Sequence, residues 1–96
     1  MYSDALLAVS GLTAVKEHLI HLGSPVYLYL FAYRGTFSWT TGLGDKKRDH
    51  GVCHIDDLLY LFPQNELLNP NKPLSNDDER MIDILTNLWY NFAKTG

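Results

Sequence analysis

The sequence predicts an α/β fold from two observations: a stretch of strand-forming residues that is apolar on both faces, and amphipathic helical patterns before and after it. From Val26 to Arg34, Tyr27, Tyr29, Phe31 and Tyr33 fall on one side, while Val26, Leu28, Leu30 and Ala32 fall on the other. A parallel sheet covered by helices asks for a strand of this kind, whereas a hairpin with one wet face asks for alternation. No second stretch of comparable length reads as a strand, so the neighbours that would satisfy its backbone groups are expected outside these residues. The alternative is a small α+β fold in which the strand pairs with its own copy in a dimer, at the cost of an exposed apolar edge.

The first helix is expected to start at a cap on Ser3 or Asp4 and run to about Leu22, burying Ala5, Val9, Leu12, Val15, Leu19 and Leu22 at spacings of three and four. Gly11 inside it costs about 1 kcal/mol relative to alanine, and Gly23-Ser24-Pro25 ends it. The connection from Gly35 to His50, with Gly35, Gly42, Gly44 and the run Asp45-Lys46-Lys47-Arg48-Asp49, reads as a polar surface loop. A short helix follows over Ile55–Leu61, with Asp56 and Asp57 as carboxylates for its free N–H groups, and Pro63 stops it. Gln64 to Leu74, with Pro70 and Pro73, reads as a loop. The last helix opens on a capping box, Ser75 with Asp78, and loads its first turn with Asp77, Asp78 and Glu79. Met81, Ile82, Leu85, Leu88, Trp89 and Phe92 form its core stripe, and Gly96 is its stop.

Composition excludes several kinds of function. A chain of 96 residues with net charge −3 offers no basic patch to follow a phosphate backbone, so nucleic acid is not an expected partner. The longest apolar runs fall far short of the roughly 20 residues a membrane span requires, and no signal-peptide pattern opens the chain. A single cysteine makes no internal disulfide, and nothing in the sequence marks a compartment.

Two histidine groups invite a metal reading. His18 and His21 are three apart on one turn but lack a third ligand, and they read as solvent-exposed. His50, Cys53, His54, Asp56 and Asp57 are crowded into eight residues, whereas a structural zinc site draws on two separated stretches. No metal or cofactor is expected. A thiol nucleophile at Cys53 based by His54 fails because consecutive side chains in an extended turn point apart, so Cys53 reads as a small buried residue.

The order of residues in Gly51-Val52-Cys53-His54-Ile55-Asp56-Asp57-Leu58-Leu59-Tyr60-Leu61-Phe62 resembles the histidine loop of the type-B carboxylesterase and cholinesterase family. Pro25-Val26-Tyr27-Leu28-Tyr29-Leu30-Phe31 resembles the strand before that loop, and Leu88-Trp89-Tyr90-Asn91-Phe92-Ala93-Lys94-Thr95-Gly96 the family's late helix. The resemblance implies that residues 1–96 are one partial domain, the C-terminal portion of an α/β-hydrolase: helix, central strand, histidine loop with short helix, long final helix. It implies a serine esterase acting on a small carboxylic ester, with His54 as general base and the nucleophile, oxyanion hole and triad acid upstream, so that these residues alone turn over no ester. Since the acid precedes the histidine in such chains, Asp56 and Asp57 are not triad members. Phe37 and Trp39 would border the acyl pocket, with Trp39 as the substrate contact, or would simply pack the loop onto the sheet. The sequence departs from the family pattern at Cys53, at Asp57 and at Ile55, where glycine or alanine is usual; a β-branched residue there narrows the pocket or fixes the loop. A non-catalytic adhesion protein that keeps the fold without the triad is the alternative function, and an inactive truncated product a third.

Overall fold

A computed structural model describes residues 7–42, 44, 47–62 and 72–96. Among the described residues four helices follow in order: α1 Val9–His21, α2 Trp39–Gly42, α3 Leu58–Leu61 and α4 Asn76–Thr95. They fall into two units, Met1–Leu30 and Phe31–Gly96.

In the first unit, α1 begins without a side-chain cap, and the expected caps Ser3 and Asp4, with Ala5, lie outside the described residues. The helix closes where the Leu22 N–H reaches the His18 carbonyl at 2.8 Å. Its expected buried face is not buried: Val9, Leu12, Leu19 and Leu22 are all exposed, and α1 has no buried residue. The apolar spacing sets the helix, but burial requires a surface to lie on. His18 and His21 are exposed as expected; the His18 ring bonds the Ala14 carbonyl and His21 sits 3.4 Å from Glu17.

The expected strand Val26–Arg34 forms no ladder among the described residues. A strand exists only through a neighbour that takes its N–H and C=O groups, and the described residues supply none there.

The core of the second unit is Phe37, Leu59, Tyr60 and Leu85, with Phe31, Tyr33, Trp39, Leu61, Leu74, Met81 and Ile82 packed around it. α3 lies against the first half of α4. The Tyr60 ring meets Phe31 and Tyr33 at centroid distances of 5.5 and 5.6 Å. In α4 only the first part of the predicted stripe is covered: Leu85 is buried and Met81 and Ile82 half-buried, whereas Leu88, Trp89 and Phe92 are exposed. Both ends of α4 follow the sequence. Ser75 and Asp78 form the reciprocal capping box, and the Gly96 N–H closes on the Phe92 carbonyl.

Two local expectations are corrected. The segment after Gly35 is not simply a surface loop, because Phe37 and Ser38 are buried and α2 lies within it. The helix expected over Ile55–Leu61 is helical only from Leu58, and 54–57 form turns. Leu43, Asp45, Lys46 and residues 63–71, which include the expected stop Pro63 and most of the loop expected over Gln64 to Leu74, lie outside the described residues.

Candidate active site

His54 stands in a turn closed by the Asp56 N–H on the Cys53 carbonyl at 3.1 Å. The third residue of that turn, Ile55, has φ +68°, the left-handed region that L residues avoid and that β-branched ones adopt least. Glycine is at ease at such a position, which gives a physical reason for the small residue usual there. The His54 side chain is exposed, and no hydrogen bond among the described residues fixes its ring. Among the described residues its location is set by the turn's backbone.

Asp56 governs that backbone. It is not the helix cap the sequence suggested: it is buried, at 2% exposure, and its carboxylate collects three donors from two segments. Oδ2 accepts from the Cys53 N–H at 2.8 Å and the Ser38 hydroxyl at 2.8 Å, and Oδ1 accepts from the Trp39 N–H at 2.9 Å. The Ser38 oxygen accepts in turn from the Thr40 N–H at 3.3 Å and lies 2.9 Å from the Thr40 hydroxyl, so its proton is directed at Asp56. A buried carboxylate is tolerable when its lone pairs are met in this way. Asp57 opens α3 without a side-chain cap bond.

The two sequence-predicted site residues thus meet at one carboxylate through their backbone segments. Trp39 is half-buried at the start of α2; its indole Nε1 is buried and has no partner among the described residues. Cys53 is half-buried, and burial together with the Asp56 charge pushes its thiol up, which disfavours the thiolate and argues against a nucleophilic role. His50 is exposed; beside it Asp49 accepts from Arg34 Nε and the Gly51 N–H, both at 2.9 Å, and these bonds hold its carboxyl below the usual range. Sequence reading missed Ser38 and the role of Asp56. The one available signal was a pair of adjacent acidic residues, which suits a helix start equally well.

The carboxylesterase family model matches residues 1–96. A juvenile hormone esterase of Heliothis virescens is 36% identical over 93 residues, covering 96% of this chain and 16% of that protein. Venom carboxylesterase-6 of Apis mellifera is 34% identical over 97 residues, covering 100% of this chain and 17% of that protein. A cocaine esterase of Oryctolagus cuniculus is 27% identical over 94 residues, covering 98% and 16%. The chain therefore spans about a sixth of the length of these curated relatives, and no solved structure matches it. With all of its residues matched, the chain belongs to the carboxylesterase family and so to the α/β-hydrolase fold.

Proposed function

We propose that the chain supplies the general base, His54, of a serine esterase that cleaves small carboxylic esters through an acyl-enzyme. The observation that carries this reading is an exposed imidazole at the tip of a turn whose backbone is fixed from beneath by a buried carboxylate. A base must present its nitrogen to reacting groups while its own frame stays rigid. Family membership supports the reaction class. In the cycle, His54 takes the proton of the serine hydroxyl as that oxygen attacks the ester carbonyl, and gives it to the departing alcohol. It then takes a proton from water as the hydroxide attacks the acyl-enzyme, and returns it to the serine as that bond breaks. Serine, oxyanion hole and acid come from the rest of the catalytic domain. Trp39 borders the acyl pocket in this reading.

The test uses the full-length esterase that carries this chain, assayed on a simple aryl ester. For His54→Ala kcat should fall on the order of 10³-fold or more with little change in KM, because the base acts in both halves of the cycle and contributes little to binding. His50→Ala should change kcat by less than about tenfold, as a surface substitution. If His54→Ala keeps activity within about tenfold while His50→Ala loses it, the base is the other histidine.

A further inference from the structure

We infer that Asp56 is the positioning residue for His54: it sets the base for reaction by locking the histidine turn to the Ser38–Trp39 segment, without touching substrate. This rests on the assignment of His54 as the base. The turn carries an intrinsic penalty at Ile55, with φ +68°, and such a conformation persists only where its surroundings over-determine it. Asp56 provides that constraint at both levels. Within the turn its Oδ2 accepts the Cys53 N–H while its own N–H closes on the Cys53 carbonyl. Across the unit it accepts from Ser38 and the Trp39 N–H, so the turn is referenced to α2. The imidazole is carried on this turn, so a shift of the turn's backbone moves it as well. Asp56 also links the base to the residue expected at the pocket border, through Trp39.

The experiment compares Asp56→Asn, Ser38→Ala and Asp78→Asn in the full-length esterase, with His54→Ala alongside. Asparagine keeps the shape of the side chain but turns one acceptor into a donor, which meets an N–H or a hydroxyl already aimed at it. Asp78 is an equally buried carboxylate in the same unit that bonds none of residues 53–56 and reaches the histidine loop only at Tyr60 in α3, so it reports the effect of destabilising the unit without releasing the turn. Below each variant's melting temperature, Asp56→Asn should lose on the order of 10-fold or more in kcat with KM within about threefold, because small misplacement of a catalytic group is costly. Ser38→Ala, which removes one bond of three, should lose several-fold in kcat and serves if Asp56→Asn does not fold. Asp78→Asn should lower the melting temperature and leave kcat within about twofold. Equal kcat losses in Asp56→Asn and Asp78→Asn, or kcat retained within twofold in Ser38→Ala and in any folded Asp56→Asn, overturn the inference while His54→Ala still abolishes activity. An active His54→Ala would instead overturn the assignment of the base, and the positioning role with it.

Discussion

Tyr60 and Asp78, eighteen residues apart, meet in the core, where the phenol donates to the carboxylate Oδ1 at 3.4 Å and ties the helix of the histidine loop to the final helix. The same oxygen accepts from the Tyr33 hydroxyl at 3.1 Å and the Thr36 N–H at 3.0 Å, while Oδ2 accepts from the Ser75 N–H at 2.9 Å and its hydroxyl at 2.7 Å. One side chain therefore caps α4 and gathers two other segments onto it, residues 33–36 and α3.

This hub makes stability depend on pH at both ends. Burial raises the Asp78 carboxyl, but the bonds from Thr36 and Ser75 outweigh it and hold the group well below the usual carboxylate range. A depressed folded value means stability that is complete above the unfolded pKa of about 3.9 and lost as pH falls below it. Burial, with the Asp78 charge, pushes the Tyr60 phenol up, so its contribution is complete below the unfolded pKa of about 10 and lost as pH rises beyond it. Urea midpoints of the full-length protein should form a plateau from about pH 5 to 9 with a fall on either side. Asp78→Asn should lower the plateau and flatten the acid limb. An acid limb that stays as steep in Asp78→Asn would remove Asp78 as its source.

Gly35 has no room for a side chain: a Cβ there would collide with the Tyr60 hydroxyl and Asp78 Oδ1 and sit 2.8 Å from Tyr33 Cε1. Gly35→Ala should cost about 2–3 kcal/mol, in the range of overpacking, seen as a lower urea midpoint. A change below about 0.5 kcal/mol would show that the hub opens without strain.

Ile55→Gly should stabilise the histidine turn. The left-handed region costs an L residue about 1–2 kcal/mol, and the greater freedom of glycine in the unfolded chain gives back part of that, leaving a gain of about 0.5–1 kcal/mol. Chemical denaturation of the two proteins measures it, and a destabilised glycine variant would show that Ile55 contributes packing worth more than the strain.

Gly11 lies within α1, and a Cβ there would meet nothing within 4 Å. Gly11→Ala should raise helicity of the 96-residue chain in circular dichroism, with a gain of about 0.5–1 kcal/mol in helix stability. Unchanged ellipticity would mean that α1 is already fully formed.

With α1 unburied and Leu88, Trp89 and Phe92 exposed on α4, the 96-residue chain should bind a hydrophobic dye and melt broadly. A sharp transition without dye binding would show that these faces are covered, for instance between two copies.

The sequence by itself determined the local features. The Ser75–Asp78 capping box, the start and end of α4 and the helical core of α1 depend on residues within a few positions of each other, and all were legible from spacing and residue type. The order of residues around His54 likewise pointed to the family. Tertiary structure alone decided what Asp56 does and what Asp78 does beyond its cap, because those partners lie up to 45 residues away and a hydrogen bond to a distant N–H or hydroxyl leaves no periodicity to read. It also decided that Phe37 and Ser38 are buried within a polar stretch, and it gave Ile55 the positive φ. The strand over Val26–Arg34 stands between the two cases: its apolar pattern is written in the residues, but a strand is formed by the neighbour that accepts its hydrogen bonds.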